Sequence, residues 1–186
     1  SFPTRRSSDL GSVQAATDDV IQQIEFLKKS FKQVHLAGWG QGAQYAAVAG
    51  TRMGNAVSSL ILLTPGFFWN ERFQSVVRMT RKIAPEILAE FKLKPERNHA
   101  CIPIPMEATD FTLENEWLDF IERDPLKTTM VTLKSVSIMD EIQELSWFAM
   151  LQNHLPILAM MGQQDRIVDN RKVLEFIGHL FQGKNR

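Results

Sequence analysis

The sequence predicts an α/β protein with a partial parallel sheet and a helical insertion. Three observations predict this class. Helical and extended patterns alternate over residues 17–64, the extended segment at residues 57–64 is rich in leucine and isoleucine without polar alternation, and another extended segment follows the insertion at residues 156–162. Alternating helices and strands are typical of a parallel sheet, whose strands are buried on both faces.

The first helix is predicted to begin at Thr17 and to run to about Ser30. A threonine hydroxyl can accept a hydrogen bond from a free N–H group at a helix start, and the carboxylates of Asp18 and Asp19 suit its positive end. Apolar residues then recur at helical spacing, namely Val20, Ile24, Leu27 and Phe31.

A strand, a tight turn, a helix and a second strand follow. The strand is predicted over residues 33–37, the small-residue helix over residues 43–53 and the second strand over residues 57–64. The turn between the first strand and the helix has the pattern G-x-G-x-G, formed by Gly38, Gly40 and Gly42. We expect the two flanking glycines to be required because a Cβ atom there would meet neighbouring chain.

A helical insertion without strands is expected over residues 70–153. Its helical patterns are interrupted by prolines, which end helices, and cover residues 71–83, 86–91, 114–123 and 128–150. The sheet pattern then returns with a strand over residues 156–162, a loop to residue 170 and a helix over residues 171–181. We therefore expect residues 11–69 and 154–186 to form the core and residues 70–153 to form a cap.

The first ten residues have no apolar periodicity and join the first helical pattern abruptly. They resemble a translated sequencing adapter, so we expect residues 1–10 to be non-native and the chain to be a fragment. A natural polar tail is the alternative interpretation.

Composition excludes several classes of protein. The 21 Lys+Arg balance the 21 Asp+Glu, whereas proteins that bind nucleic acid or anionic membranes by charge carry a basic surplus. The longest apolar runs, residues 60–63 and 157–161, are far shorter than the ~18 residues of a transmembrane segment. Cys101 is the only cysteine, which excludes an intrachain disulfide and a cysteine-built metal site and favours a cytoplasmic location.

The glycine turn has the layout of a nucleophile elbow, which places a nucleophile on a strained strand-to-helix turn. Four segments carry a resemblance to a known family: residues 34–43, which contain this turn, and residues 60–68, 120–126 and 156–168. In their order and spacing they are similar to α/β-hydrolases, particularly lysophospholipase and monoacylglycerol-lipase-like serine hydrolases of the serine aminopeptidase S33 type. The resemblance covers nearly everything after residue 10 and implies an α/β-hydrolase fold.

The resemblance also implies site residues. The family's nucleophile falls on Gly40, which has no side chain, and the backbone N–H of Gln41 would supply half of an oxyanion hole. The family's acid falls on Asp165, where it would orient a catalytic imidazole. The histidine should follow the acid by on the order of 25 to 35 residues, which places it beyond Arg186. His179 follows Asp165 too closely, on the next predicted helix, to be this base. We interpret the other three histidines as core, strand-end or surface residues: His35, His99 and His154.

The sequence also allows other interpretations of these residues. The glycine turn also fits the dinucleotide fingerprint G-x-G-x-x-G/A, although the next strand ends without the acidic residue that would hold the ribose. Asp165 could instead cap the following helix, a role for which Asp169 competes. The aromatic residues 67–69 could line an acyl pocket or belong to the core. The methionine and aromatic residues of the insertion are typical of helix packing more often than of a lipid groove.

The activity implied by the resemblance is hydrolysis of a carboxylic ester in an acylglycerol or lysophospholipid, through an acyl-enzyme and without metal or cofactor. A peptidase-type activity of the same family is the alternative, because the cap and not the nucleophile elbow determines which substrate is bound. Without a nucleophile at residue 40 and without the histidine, we expect this chain to be catalytically silent. The opposing class is a non-catalytic protein that binds an acyl ligand or a partner.

Overall fold

A parallel sheet organises the part of the chain that the computed structural model describes, residues 12–75, 78–79, 101–104 and 106–182. The strands are β1 (His35–Trp39), β2 (Ser59–Leu63), β3 (Cys101–Pro103), β4 (Met130–Thr132) and β5 (Ile157–Met160). The helices are α1 (Val13–Lys28), α2 (Gln41–Met53), α3 (Asn115–Arg123), α4 (Leu133–Gln152) and α5 (Asn170–Gln182).

The main sheet has the strand order β1-β2-β5, and both strand pairs are parallel. Its register aligns Ala37 with Ile61 and Ile61 with Leu158. In the next row, Trp39 is aligned with Leu63 and Leu63 with Met160. The predicted α/β class and the order of these elements are therefore confirmed.

The core lies on one side of this sheet. Leu60 and Leu62 of β2 are fully buried, and α2 packs on β1 and β2 with its small buried residues. α1 and α4 pack in turn against α2. The small side chains that the sequence places in α2, such as Ala43, Ala46 and Ala47, are what let the helix approach the sheet closely.

The predicted start of α1 at Thr17 is wrong by one helical turn. The helix begins at Val13, where the hydroxyl of Ser12 accepts a hydrogen bond from the N–H of Ala15. Thr17 lies inside the helix, fully buried, and its hydroxyl donates to the carbonyl of Val13 at 2.8 Å. Within a helix, a threonine hydroxyl can donate a hydrogen bond to the carbonyl four residues earlier. A threonine in the sequence therefore does not by itself mark the start of a helix.

The prediction that residues 70–153 contain no strand is also wrong. β3 and β4 form a two-stranded antiparallel sheet inside this stretch. Each has three residues, and one of those of β3 is Pro103, so neither shows the length or composition that identifies a strand in a sequence.

The helices predicted in the insertion are found in part. The one predicted over residues 114–123 is α3, and the one predicted over residues 128–150 is α4, which starts only at residue 133 because β4 precedes it. Residues 71–75 are helical, as predicted. The helix predicted over residues 86–91 and the first ten residues lie outside the described residues.

Candidate active site

The turn between β1 and α2 is a tight corner at Gly40. Gly40 has φ 55° and ψ −118°, a left-handed conformation that a residue with a side chain adopts only under strain. Its N–H donates to the carbonyl of Leu63 at 3.0 Å, and its carbonyl accepts from the N–H of Gly66 at 3.0 Å. The corner is thus fastened to the end of β2 by backbone hydrogen bonds on both sides.

The three glycines of the turn differ in how much space a Cβ atom would have. A Cβ on Gly38 would lie 2.6 Å from the Cα of Ala43 and would clash with the carbonyl oxygen of Gly42. A Cβ on Gly40 or on Gly42 would have no heavy atom within 4 Å apart from those of its immediate chain neighbours and, for Gly42, of the backbone of its own helix. The expectation of close approach is therefore right for Gly38 and wrong for Gly42, which nothing in the described residues crowds.

Gln41 opens α2 immediately after the corner. Its backbone N–H finds no acceptor among the described residues, as is usual for the first donors of a helix. The amide nitrogen of its side chain, Nε2, is buried and also lacks a partner in that part of the chain. Two N–H donors of one residue are therefore available at the positive end of α2.

Asp165 lies in the loop between β5 and α5, and its carboxylate is held by backbone. Oδ1 accepts from the N–H groups of Ile167 and Val168, both at 2.8 Å, and the N–H of Asp165 donates to the carbonyl of Gly162 at 3.2 Å. The other oxygen, Oδ2, accepts no hydrogen bond from the described residues. The carboxylate is thus fixed in orientation with one oxygen left for another partner.

Asp169, not Asp165, caps α5. Its Oδ1 accepts from the N–H of Lys172 at 3.2 Å, three residues into the helix. Desolvation raises the pKa of Asp169, but hydrogen bonds from the backbone and the ammonium group of Lys172, with the charges of Lys172 and Arg171, outweigh it and leave the pKa below its usual value. The alternative in which Asp165 caps this helix is therefore wrong.

One cavity of about 610 Å³ brings the three predicted positions together, since Gly40, Gln41 and Asp165 all line it. It lies where β1, β2 and β5 end, the usual place for a ligand in a parallel sheet. Its remaining walls are largely apolar and include Trp69, Phe73, Met106, Phe111, Leu113 and Met139.

The aromatic run after β2 divides between cavity and core. Trp69 lines the cavity, whereas Phe67 is fully buried and Phe68 stacks on Trp147 of α4 with ring centroids 5.3 Å apart. The methionine residues of the insertion are likewise found in both places. Met139 lines the cavity, and Met150 is a core residue that is 1% exposed.

No histidine within the described residues lines this cavity. His35 lies at the start of β1, where its Nδ1 is 2.7 Å from the hydroxyl oxygen of Ser59, at the far end of the strands from the cavity. His154 precedes β5, and His179 lies on α5, both exposed. His99 lies outside the described residues.

Sequence reasoning missed two parts of the site. The segment of residues 106–114 forms one wall of the cavity, but its apolar residues follow no period that marks them. Thr64 also lines the cavity, and its φ of 38° is unusual for a β-branched residue. Such strain depends on tertiary contacts, so no sequence signal could have identified it.

Among the described residues, no group of three or more His, Cys, Asp or Glu side chains could hold a metal ion. In the same residues, no helix combines the length and the apolar composition that crossing a bilayer requires.

Comparison with solved structures finds the same fold in lipases. A monoacylglycerol lipase from Paleococcus ferrophilus matches with a TM-score of 0.69 and 14% identity over 92% of this chain and 60% of that one. A soluble variant of monoglyceride lipase from Saccharomyces cerevisiae, in complex with a substrate analog, matches with a TM-score of 0.69 and 16% identity over 94% of this chain and 59% of that one. A putative lipase from Acinetobacter baumannii AYE matches with a TM-score of 0.52 and 14% identity over 94% of this chain and 57% of that one.

At these identities the likeness shows the fold, and the chain spans about 60% of the length of the two monoacylglycerol lipase structures. No curated protein matches the chain. The sequence model of the family described as serine aminopeptidase, S33, matches residues 4–185, nearly the whole chain. The chain therefore belongs to the serine aminopeptidase S33 family and has an α/β-hydrolase fold.

Proposed function

We propose that this chain is part of a longer serine hydrolase that cleaves carboxylic esters of lipid-like substrates, and that the chain as written is catalytically silent. One observation carries the proposal. A glycine occupies the tight corner before α2 and faces the same cavity as a carboxylate whose orientation is fixed, that of Asp165.

The roles follow from the chemistry of acyl transfer. A serine or cysteine at residue 40 would attack the ester carbonyl, and the N–H of Gln41 would stabilise the oxyanion that forms. The free oxygen of Asp165 would accept a hydrogen bond from the catalytic imidazole and hold it in the right tautomer. Without a side chain at residue 40 and without that imidazole, at most the ~10³ to 10⁴-fold contribution of oxyanion hole and binding remains.

The substrate class is proposed from the cavity walls. Most of the surface of the cavity is apolar, with contributions from aromatic, leucine and methionine side chains, and such a surface suits an acyl chain better than a polar peptide. Two of the fold neighbours are monoacylglycerol lipases by name, which supports an acylglycerol, and a lysophospholipid has the same acyl chemistry.

The proposed domain organisation follows the same division. Residues 11–69 and 154–186 form the core that carries the corner and the acid, and residues 70–153 form the cap. The position of residues 106–114 in the cavity wall supports this role for the insertion.

A second candidate function is binding of an acyl ligand or a partner without turnover. The buried and unpartnered Nε2 of Gln41 favours it, because a buried donor without an acceptor is costly and a bound carbonyl oxygen would satisfy it.

Substitution at residue 40 separates the two. Gly40→Ser is made in a longer version of the protein with its native flanking sequence, and turnover of a short-chain p-nitrophenyl ester is measured. We expect the serine variant to gain turnover and Gly40→Ala, which imposes the same backbone strain without a nucleophile, to show none. Ligand binding with no turnover in the serine variant would favour the binding protein.

The same substitution in residues 1–186 alone provides a further control. We expect Gly40→Ser to remain inactive in this chain because the catalytic base is proposed to lie beyond Arg186. Appreciable hydrolysis by this variant would contradict that assignment.

A further inference from the structure

Gln44 is a polar residue in the core, one helical turn after the corner at Gly40. It is fully buried on α2, where the neighbouring positions hold small apolar residues, namely Ala43, Ala46 and Ala47. Burial of an amide among apolar side chains costs free energy unless the amide forms hydrogen bonds. The hydrogen bonds of Gln44 therefore indicate why a glutamine stands at this position.

The side chain of Gln44 holds the segment to which the corner is fastened. Its Nε2 donates to the carbonyl of Gly66 at 2.5 Å. The N–H of Gly66 donates in turn to the carbonyl of Gly40 at 3.0 Å. Because Gly40 directly precedes α2, these two hydrogen bonds close a ring from the corner, through the first turn of the helix and Gly66, back to the corner.

Gln44 is poorly suited to a role that is only stabilising. Its other amide atom, Oε1, is buried and has no hydrogen-bond partner in the described part of the chain. A buried acceptor without a donor costs free energy, which an apolar side chain of similar size, such as methionine, would avoid. The hydrogen bond to Gly66 is therefore the feature that distinguishes glutamine from methionine at this position.

The segment that Gln44 holds contains a strained residue. Thr64 has a φ of 38°, a left-handed conformation that is unfavourable for a β-branched side chain. Its N–H donates to the carbonyl of Met160 at 2.7 Å, and Gly66, two residues on, is held through both its N–H and its carbonyl. Thr64 lines the cavity together with Gly40. Strain that the surrounding structure maintains in this way is concentrated at functional sites.

We propose that Gln44 is a positioning residue for the candidate active site. Through Gly66 it fixes the corner, so that a side chain at residue 40 would keep a constant orientation relative to the N–H of Gln41. The proposal rests on the proposed function, because only a nucleophile at residue 40 would require this alignment. A misplacement of reacting groups by about 1 Å can lower a rate about 10²-fold.

Hydrogen exchange in residues 1–186, followed by NMR, tests the hold on the corner without any activity. In the unmodified chain, we expect the side-chain amide protons of Gln44 to exchange at least about tenfold more slowly than those of Gln22, which is exposed. Gln44→Met should speed exchange of the Gly66 N–H at least about tenfold relative to the N–H of Leu60, which is bonded within the sheet.

The matched control is Gln143→Met, which removes another buried amide from the neighbouring carbonyl, that of Phe67. This carbonyl keeps its hydrogen bond from the indole of Trp147. We therefore expect Gln143→Met to leave the exchange of Gly66 relative to Leu60 unchanged.

Ester hydrolysis tests the positioning role itself. In a longer version of the protein that carries Gly40→Ser, kcat for a short-chain p-nitrophenyl ester is expressed per serine titrated with a fluorophosphonate, so that unfolded protein is not counted. We expect the additional Gln44→Met to lower kcat at least about tenfold and to change KM less than about twofold, because alignment and not binding is lost. Gln143→Met should leave both constants unchanged.

Several results would overturn the proposal. Fast exchange of the Gln44 amide in the unmodified chain would do so without any variant, as would equal acceleration of Gly66 by Gln44→Met and Gln143→Met. An unchanged kcat in Gln44→Met would show that the hold does not position the nucleophile. Failure of the proposed function gives a different result, since the Gly40→Ser protein is then inactive with either residue at position 44. That result would remove the positioning role, while hydrogen exchange would still show whether Gln44 holds the corner.

Discussion

Gly38 shows most directly how a single residue shapes the candidate site. The missing side chain lets the end of β1 lie against the start of α2, where a Cβ would be 2.6 Å from the Cα of Ala43. Since the neighbouring atoms belong to backbone, they cannot move aside as a flexible side chain would.

We therefore expect Gly38→Ala to destabilise the fold by about 1–3 kcal/mol, the usual cost of overpacking. The measurement is urea unfolding followed by circular dichroism. The matched control is Gly42→Ala, four residues on and uncrowded, where alanine replaces a helical glycine and should be neutral or stabilising by up to about 1 kcal/mol. Equal destabilisation by both variants would contradict the close approach at Gly38.

The charge of Asp169 leads to a prediction about how the free energy of unfolding depends on pH. Its folded-state pKa lies below the unfolded value of 3.8, so its ionised form stabilises the fold above that pH, and this contribution is lost as the pH falls through the folded pKa. Asp169→Asn keeps the cap but not the charge, and should cost less than about 1 kcal/mol at neutral pH. The gap in unfolding free energy between the two proteins should close as the pH is lowered below 4, and a constant gap would show that the charge has no role.

At the scale of elements, an ion pair links two segments of the insertion. Arg72, which follows β2, pairs with Asp110 in the cavity wall, and the carboxylate of Asp110 is only 7% exposed. Oδ2 of Asp110 also accepts from the N–H of Glu107 at 2.8 Å, which shapes this wall. The pair thus connects the wall formed by residues 106–114 to the helical residues 71–75 at the start of the insertion.

Removal of the arginine would leave the buried carboxylate without its cation. We expect Arg72→Ala to destabilise the protein by about 1–3 kcal/mol, less than for a fully buried pair because Arg72 is 44% exposed. Hydrogen exchange should speed up in residues 106–111 first. Arg78→Ala serves as the control, since its pair with Glu71 is 56% and 73% exposed and should contribute less than about 1 kcal/mol.

Two side chains of α4 hold the chain that follows β2 by donating hydrogen bonds to the same carbonyl group. The side-chain amide of Gln143 and the indole N–H of Trp147 both donate to the carbonyl of Phe67, at 2.9 and 2.8 Å. Trp147→Phe would keep the stack on Phe68 but lose one of these hydrogen bonds. We expect a cost of about 0.5–1.5 kcal/mol from thermal unfolding, and a larger cost for Trp147→Ala, which also loses the stack.

Over the whole molecule, the sequence predicted the parts that local patterns determine. The turn at Gly38 to Gly42 and the apolar runs of β2 and β5 identified the fold because glycine spacing and strand burial are visible in a single sequence. The same local reasoning placed the start of α1 at Thr17 because a hydroxyl that caps a helix and one that bonds within it look alike in a sequence.

The rest of the molecule depends on contacts between distant segments. β3 and β4 are each too short to show a pattern and exist because they pair with one another. The cavity wall of residues 106–114 and the left-handed Thr64 likewise arise from packing across the fold. The three candidate positions were predicted from the family resemblance, and their roles remain predictions for the substitutions at residue 40 to test.

The corner at Gly40 is fastened by main-chain atoms alone, to Leu63 on one side and to Gly66 on the other. These hydrogen bonds involve only backbone groups, so they do not require a particular side chain at residue 40. A side chain there would strain the corner, whose φ is 55°. Glycine and serine codons can differ by a single nucleotide, so under the proposed function one substitution would supply or remove the nucleophile.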